Sequence, residues 1–357
     1  MSTNQNRNTN STGVQHDFFK TIRLRDKFAF SMRFVLEHFL GFIPLEKLWR
    51  KWEQSTQRNI YKSVQNIEKK KLSVHECDSN VDPSFIREEY VKKGIPVVIR
   101  QGASSWKAIQ EWDFPFFRNE YGDHPVILSN HKDIGDETEE GTISNLREII
   151  DGIDQDSMKY ARFNPLLDSY PHLQDDLDQN WLNQARDTKI KKHHVLFIGN
   201  KGTKTNIHNA GNENIFIQIR GKKRWLLWDQ KAHYIFNPEV NRGPAKASPI
   251  NPNQEYVAEN PAYNHLPYYE LILEPGDIIL IPAYLWHYVE NITPTIGIGN
   301  RWLSPRNTIR NNPLFAFLEI FNTSPSLFKT LDWRKGFNFN EILDDQNIIQ
   351  KPSPFRS

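Results

Sequence analysis

Residues 274–291 read EPGDIILIPAYLWHYVEN, and this stretch decides the fold. Pro275-Gly276-Asp277 reads as a turn, Ile278 to Ile281 as a strand, and Trp286-His287-Tyr288 as the start of the next strand. The same rhythm extends to both sides, through HHVLFIGN from residue 193, ENIFIQIRG, KRWLLWD and YELILEPGD upstream, and TIGIGNRWL downstream. Short strands parted by turns predict a sheet or barrel closing around a buried site. Between the third and fourth strands lies a long Pro/Asn-rich section, residues 237–268, of a length expected when a loop is functional or covers something.

Within that frame, residues 205–214 read TNIHNAGNEN. His208 falls at a strand-to-turn boundary, and side chains alternate along a strand, so Ala210 shares its face. Two histidines from separate strands and a carboxylate would form the two-His, one-carboxylate iron triad. Both histidines, His208 and His287, are present; at the acidic position stands Ala210.

Further out, the main domain is expected over residues 81–305. Pro83 opens a helix that Gly94 ends, and Pro96 to Arg100 read as a strand. Residues 106–130 supply a Trp and Phe cluster, a short helix and a strand ending near Leu128; helices follow around 144–152 and 173–187. Residues 1–20, rich in Asn, Ser and Thr, read as a disordered tail without a secretory signal. Residues 21–80 read as a helical extension. Phe28, Met32, Val35, Leu36 and Phe39 lie at helical spacing, as a face that packs on the main domain or another subunit, and Gly41 and Pro44 break that helix before a second. Residues 306–357 form a C-terminal helical region, with PLFAFLEIFN and SPSLFKTLDW as apolar helices and a candidate homodimer interface.

Composition narrows the function. The chain has 357 residues, 45 basic and 43 acidic, for a formal charge of +2, so no strong field draws in nucleic acid. One cysteine, Cys77, excludes an intrachain disulfide framework and a cysteine-rich zinc site, which fits a reducing cytoplasm. The most apolar early stretch is interrupted by Arg33, Glu37 and His38, so no transmembrane segment is expected.

The motifs from about 193 to 303, in their order, closely resemble the JmjC and cupin-like iron(II), 2-oxoglutarate-dependent oxygenases. The pattern is closest to the asparaginyl hydroxylase branch that acts on hypoxia-inducible factor, with HxA in place of HxD; GIPVVIRQG and FPFFRNEYGDHPV extend the resemblance to roughly 81–305. It implies a mainly β double-stranded β-helix (jelly roll) with flanking helices, and iron(II) and 2-oxoglutarate as cofactors. By the same resemblance His208 and His287 are metal ligands, and Ala210 occupies the acidic ligand's place. Lys223 binds the distal carboxylate of 2-oxoglutarate, supported by Thr205 and Asn214, and Asn300 lies near cosubstrate and metal.

A dianion entering an apolar barrel needs a buried cation, and Arg220, Lys222 and Arg224 compete with Lys223 for that role. On one unbroken strand those three would share the face of Asn214, Phe216 and Gln218, and Lys223 joins it only if the turn at Gly221 shifts the alternation. Trp302, Tyr284 and His265 are candidate substrate contacts; the first two equally suit a barrel core.

Alanine cannot ligate, and its presence lowers the site's affinity for iron. Water, chloride or bromide, or the nearby Glu213 could occupy the third position; or the barrel could be a non-catalytic binding protein. With halide the chemistry would be radical halogenation, without it hydroxylation of an unactivated carbon. The substrate class stays open between a peptide side chain, an amino acid and a small metabolite.

Overall fold

The computed structural model describes residues 9–40, 44–128, 142–153, 159–188, 190, 193–240, 245–254, 257–258, 260–322, 331–332 and 336–337. Two sheets face each other. The strands are β1 (Lys71–Leu72), β2 (His75–Cys77), β3 (Val97–Ile99), β4 (Pro125–Leu128), β5 (Thr142–Asn145), β6 (Tyr160–Asn164), β7 (His193–Gly199) and β8 (Lys204–Ala210). They continue with β9 (Glu213–Arg220), β10 (Lys223–Trp228), β11 (Ala245–Ala247), β12 (Tyr268–Leu273), β13 (Ile278–Ile281), β14 (Trp286–Asn291) and β15 (Thr295–Trp302). One sheet runs β1-β12-β10-β14-β8-β11, the other β2-β3-β13-β9-β15-β7-β6-β4-β5. This is the jelly-roll sandwich, and nearly every pairing in its centre is antiparallel.

Alternation along the strands makes three apolar layers. The inner layer holds Val195, Phe197, Phe216, Trp225, Leu227, Tyr269, Ile279 and Val289. Outside the larger sheet, Leu196, Ile215, Ile217, Ile298 and Trp302 pack under Trp106, Trp112 and Phe117. Outside the smaller sheet, Ile207, Trp228, Tyr284, Trp286 and Tyr288 pack under the terminal helices.

Those helices revise two expectations. Residues Thr9–Thr21 are helical rather than a tail, because Phe18, Phe19 and the following Ile22 bury themselves in the outer layer, and Gln15 donates to the Pro267 carbonyl at 3.5 Å. In the helix Leu24–Leu40, the packed face is Phe30, Arg33, Phe34 and His38, with Phe30 and Phe34 against Tyr234 and Phe315. Of the expected face, Phe28 is 64% exposed and Met32 and Phe39 are exposed as well, while Val35 does pack on the outer layer. The helix carries two apolar stripes, and burial of aromatic area, roughly 1.5–3 kcal/mol per large side chain, favours the one bearing Phe30 and Phe34.

At the other end, Pro313–Asn322 is a helix, as the sequence predicts, and its Phe315 and Leu318 are fully buried. Leu331–Asp332, expected to be helical, instead pairs as a strand with Gly336–Phe337; most of SPSLFKTLDW lies outside the described residues. The expected helix over 173–187 divides into the short helices Pro171–Asp176 and Gln179–Ala185, separated by Asp178, whose side chain caps the second by accepting from Trp181 N. The long section 237–268 contributes edge strand β11, paired to β8 opposite the histidine motif. Among the described residues no helix is long and apolar enough to cross a membrane.

Candidate metal and cosubstrate site

β8 and β14 run antiparallel with His208 opposite His287, their ring centroids 4.2 Å apart. His208 Nδ1 donates to the Asn206 carbonyl at 2.8 Å, and His287 Nδ1 to the Leu285 carbonyl at 2.9 Å. A carbonyl can only accept, so each proton sits on Nδ1 and each Nε2 keeps its lone pair, the tautomer a metal requires. Burial is the largest influence on both rings. It pushes His287 down to about 4; His208 lies well below its ordinary value through burial, then the neighbouring ring, with smaller contributions from Arg301 and Arg162. Both rings are neutral at pH 7.

Ala210 follows on the face of His208, and its register partner is Ala245. Among the described residues no cluster of three His, Cys, Asp or Glu side chains is able to hold a metal. Glu213, a candidate replacement, belongs to the opposite face of β9. Asn214 and Phe216 face inward while Glu213 is sealed on the outer side, with Oε2 accepting from Ala283 N at 3.3 Å and its pKa pushed up to about 8, first by burial and then by Asp187. Asn209 also turns away, donating to the Tyr284 carbonyl at 3.3 Å. Glu319 approaches from the helical layer and packs on Gly211, where an added Cβ would lie 2.7 Å from its Oε2.

The cation competition resolves by partner. Arg220 donates to the Ile109 carbonyl at 2.6 Å, Lys222 pairs with Glu274 at 2.7 Å, and Arg224 pairs with Glu270 at 2.7 Å and Glu290 at 3.3 Å. Lys223 is 1% exposed, and its Nζ sits 4.8 Å from the Phe216 ring centroid and 3.5 Å from the Tyr160 hydroxyl. No carboxylate reaches it among the described residues, and burial lowers its pKa to about 7.

Gly221 makes this placement. It has a φ of +72°, in the left-handed region, and a Cβ there would lie 1.9 Å from the Pro294 carbonyl oxygen. With the bulge where Ile296 and Gly297 cross β9, the turn brings Lys223 onto the inner face together with Trp225, Leu227 and, across β14, His287. Thr205 hydrogen-bonds Tyr160 beside Lys223, and Asn214 leaves its buried Oδ1 without a partner.

Four expected site residues lie elsewhere. Asn300 pairs with His194 and Ile215 on the outer face of β15, and its Nδ2 is 3.0 Å from His194 Nε2; it does not face the cosubstrate region. Trp302 shares that outer face and donates to Asp187 at 2.9 Å. Tyr284 stands in the outer layer of the smaller sheet, at a φ of +60°. His265 donates to or accepts from neither strand pair; its Nδ1 meets the Ile67 carbonyl at 2.6 Å beneath Tyr61.

Three inner residues escaped the sequence reading: Tyr160, Arg162 and Arg301. Strand β6 was not foreseen, which hid Tyr160 and Arg162. Arg301 had a visible signal, a charge in the otherwise apolar strand TIGIGNRWL, where burial of an arginine demands a reason.

Comparison with known proteins agrees with this architecture. The chain is 23% identical over 228 residues to "Lysine-specific demethylase 8" of Danio rerio, covering 60% of this chain and 55% of the relative. It is 26% identical over 244 residues to "JmjC domain-containing protein D" of Dictyostelium discoideum, covering 59% and 52%. With "Lysine-specific demethylase JMJ30" of Arabidopsis thaliana the identity is 25% over 227 residues, covering 61% and 52%. The chain thus spans about half the length of these curated relatives. Residues 83–309 match the cupin-like domain profile, and the chain belongs to that family.

Proposed function

We propose that the protein is an iron(II)- and 2-oxoglutarate-dependent oxygenase of JmjC type that works with two protein ligands, in the pattern of the asparaginyl hydroxylase branch. The carrying observation is Lys223, a buried amine facing the barrel interior without an anionic partner among the described residues. Burying an unpaired charge costs several kcal/mol, so such a group is built to receive an anion. His208 and His287 fit two positions of an iron site through their free Nε2 atoms, and Lys223, Thr205 and Asn214 fit the distal carboxylate of the cosubstrate.

Iron(II) with 2-oxoglutarate supplies oxidative decarboxylation coupled to oxidation of an unactivated C–H bond. The chain's own part is positional. The Asn206 and Leu285 carbonyls lock the imidazoles, Lys223 fixes the cosubstrate from the opposite end, and Phe197, Phe216 and Trp225 exclude water between them. The substrate is a peptide side chain, an amino acid or a small metabolite.

A second reading places chloride or bromide beside Ala210 and makes the reaction a halogenation; Ala210 and the absence of a replacement carboxylate on the described inner face favour it. Anaerobic titration with iron(II) and 2-oxoglutarate, following the charge-transfer absorption with and without chloride, tests both. A band lost in Lys223→Ala and His208→Ala is expected. A band that shifts with chloride selects the halide reading, and no band at saturating iron leaves a non-catalytic binding barrel.

A further inference from the structure

Besides Lys223, a second cation faces the interior without a carboxylate partner among the described residues. Arg301 stands on β15 opposite Asn214 and His193. Asn214 and the preceding alternate residue, Gly299, face inward: a Cβ on Gly299 would lie 3.0 Å from Asn214 Oδ1, beside Val195 and Phe197. Arg301 therefore projects from the same wall. Its Nε is sealed from solvent with no hydrogen-bond partner, and its guanidinium lies 5.2 Å from the Phe163 ring centroid. Its charge reaches both His208 and His287, while no carboxylate among the described residues acts on it.

The electrostatic consequence is a change of sign. Aspartate at position 210 would bring a negative charge to the histidine pair, whereas this chain has alanine there and a guanidinium facing the pair. A second positive group, Arg162, also acts on His208. A partly buried guanidinium whose Nε is sealed is stabilised by an anion that accepts from its planar fork, and a cation brought to the same place is repelled.

We propose that Arg301 is an anion-recognition point facing the histidine pair, distinct from the cosubstrate's place at Lys223, and that it takes a monoanion. That anion is either the carboxylate of an acidic substrate or a free halide. A methylated or unmodified lysine side chain, the group for which two of the relatives are named, is disfavoured at that point by the same charge. The inference rests on the proposed function only for the use of 2-oxoglutarate to fill the Lys223 end.

The test is crystallographic, on metal-free full-length protein saturated with 2-oxoglutarate and soaked in sodium bromide, located by anomalous scattering. One bromide within hydrogen-bond reach of the Arg301 guanidinium is expected in the wild type. The peak should persist in Lys223→Met, weaken in Arg301→Lys and vanish in Arg301→Gln, with circular dichroism melts confirming that each variant folds. Added acetate that displaces bromide assigns the site to a substrate carboxylate; bromide that resists acetate assigns it to halide. No bromide at Arg301 in the wild type, or an equal peak in Arg301→Gln, overturns the proposal. In the wild type, bromide at Arg301 with no 2-oxoglutarate bound at the Lys223 end would instead overturn the cosubstrate reading alone.

Discussion

His208 and His287 face each other across two antiparallel strands, and each is held in the same way, by the carbonyl of the residue two positions earlier in the chain. The orientation of the donor pair is thus set by backbone and does not wait for a metal. What the pair lacks, among the described residues, is a third side-chain donor. Ala210→Asp should supply it on the same face and raise iron(II) affinity by about tenfold or more, the scale on which even indirect partners of metal ligands act. Anaerobic equilibrium titration measures this. Unchanged affinity would mean that a side chain at 210 does not reach the point where the two Nε2 atoms converge.

Lys223 makes stability depend on pH. Burial lowers its folded-state pKa from 10.5 to about 7, so between those values the unfolded chain holds a proton that the folded chain releases. Stability therefore rises with pH across that window, and the full cost of the buried charge is present below it. Lys223→Met should melt above the wild type at neutral pH, with the gap closing as pH approaches 10.5. The wild type's 2-oxoglutarate affinity should meanwhile fall about tenfold per unit above pH 7, as the free enzyme loses the proton the dianion needs. A calorimetric affinity flat from pH 7 to 9 would contradict the assignment of Lys223 as the anchor.

Gly221 controls which lysine enters the barrel. Substitution by alanine forces a Cβ into the Pro294 carbonyl at a left-handed φ, which should cost about 2–4 kcal/mol from strain and overpacking together. Denaturant unfolding gives that loss directly. Because Lys222 and Lys223 lie just beyond the turn, the variant should also lose 2-oxoglutarate binding by more than its lowered stability explains. A destabilised variant with intact binding would show that the turn shapes the fold without setting the alternation.

Most strands of the sandwich were legible because their apolar runs are short, separated by Gly, Pro and Asn, and face packed layers on both sides. The pairing of His208 with His287 was legible too, through matching strand contexts. The failures have local causes. The helix Leu24–Leu40 has two apolar stripes, and periodicity alone cannot say that Phe30 and Phe34 outcompete Phe28 and Met32. β6 lies next to a poorly patterned stretch, so Tyr160 and Arg162 went unseen. At the end of β15 the motif GNRW offers a polar and a charged residue side by side, and alternation must send one in and the other out. Only the pairing register, with Gly299 opposite Val195 and Phe216, shows that Arg301 is the inward one.

That register leads to a prediction separating fold from chemistry. Asn300 is fully buried and bonded to His194 behind the sheet, so Asn300→Ala removes one hydrogen bond from a buried imidazole. A lost intramolecular hydrogen bond costs roughly 0.5–1.5 kcal/mol, and the melting temperature should fall accordingly. The affinity for 2-oxoglutarate, measured on the folded variant by calorimetry, should stay within about twofold of wild type, since the contacts proposed for the cosubstrate come from Lys223 and Thr205 on other strands. A large loss of affinity with little loss of stability would require Asn300 to turn inward, and would exchange its place with that of Arg301.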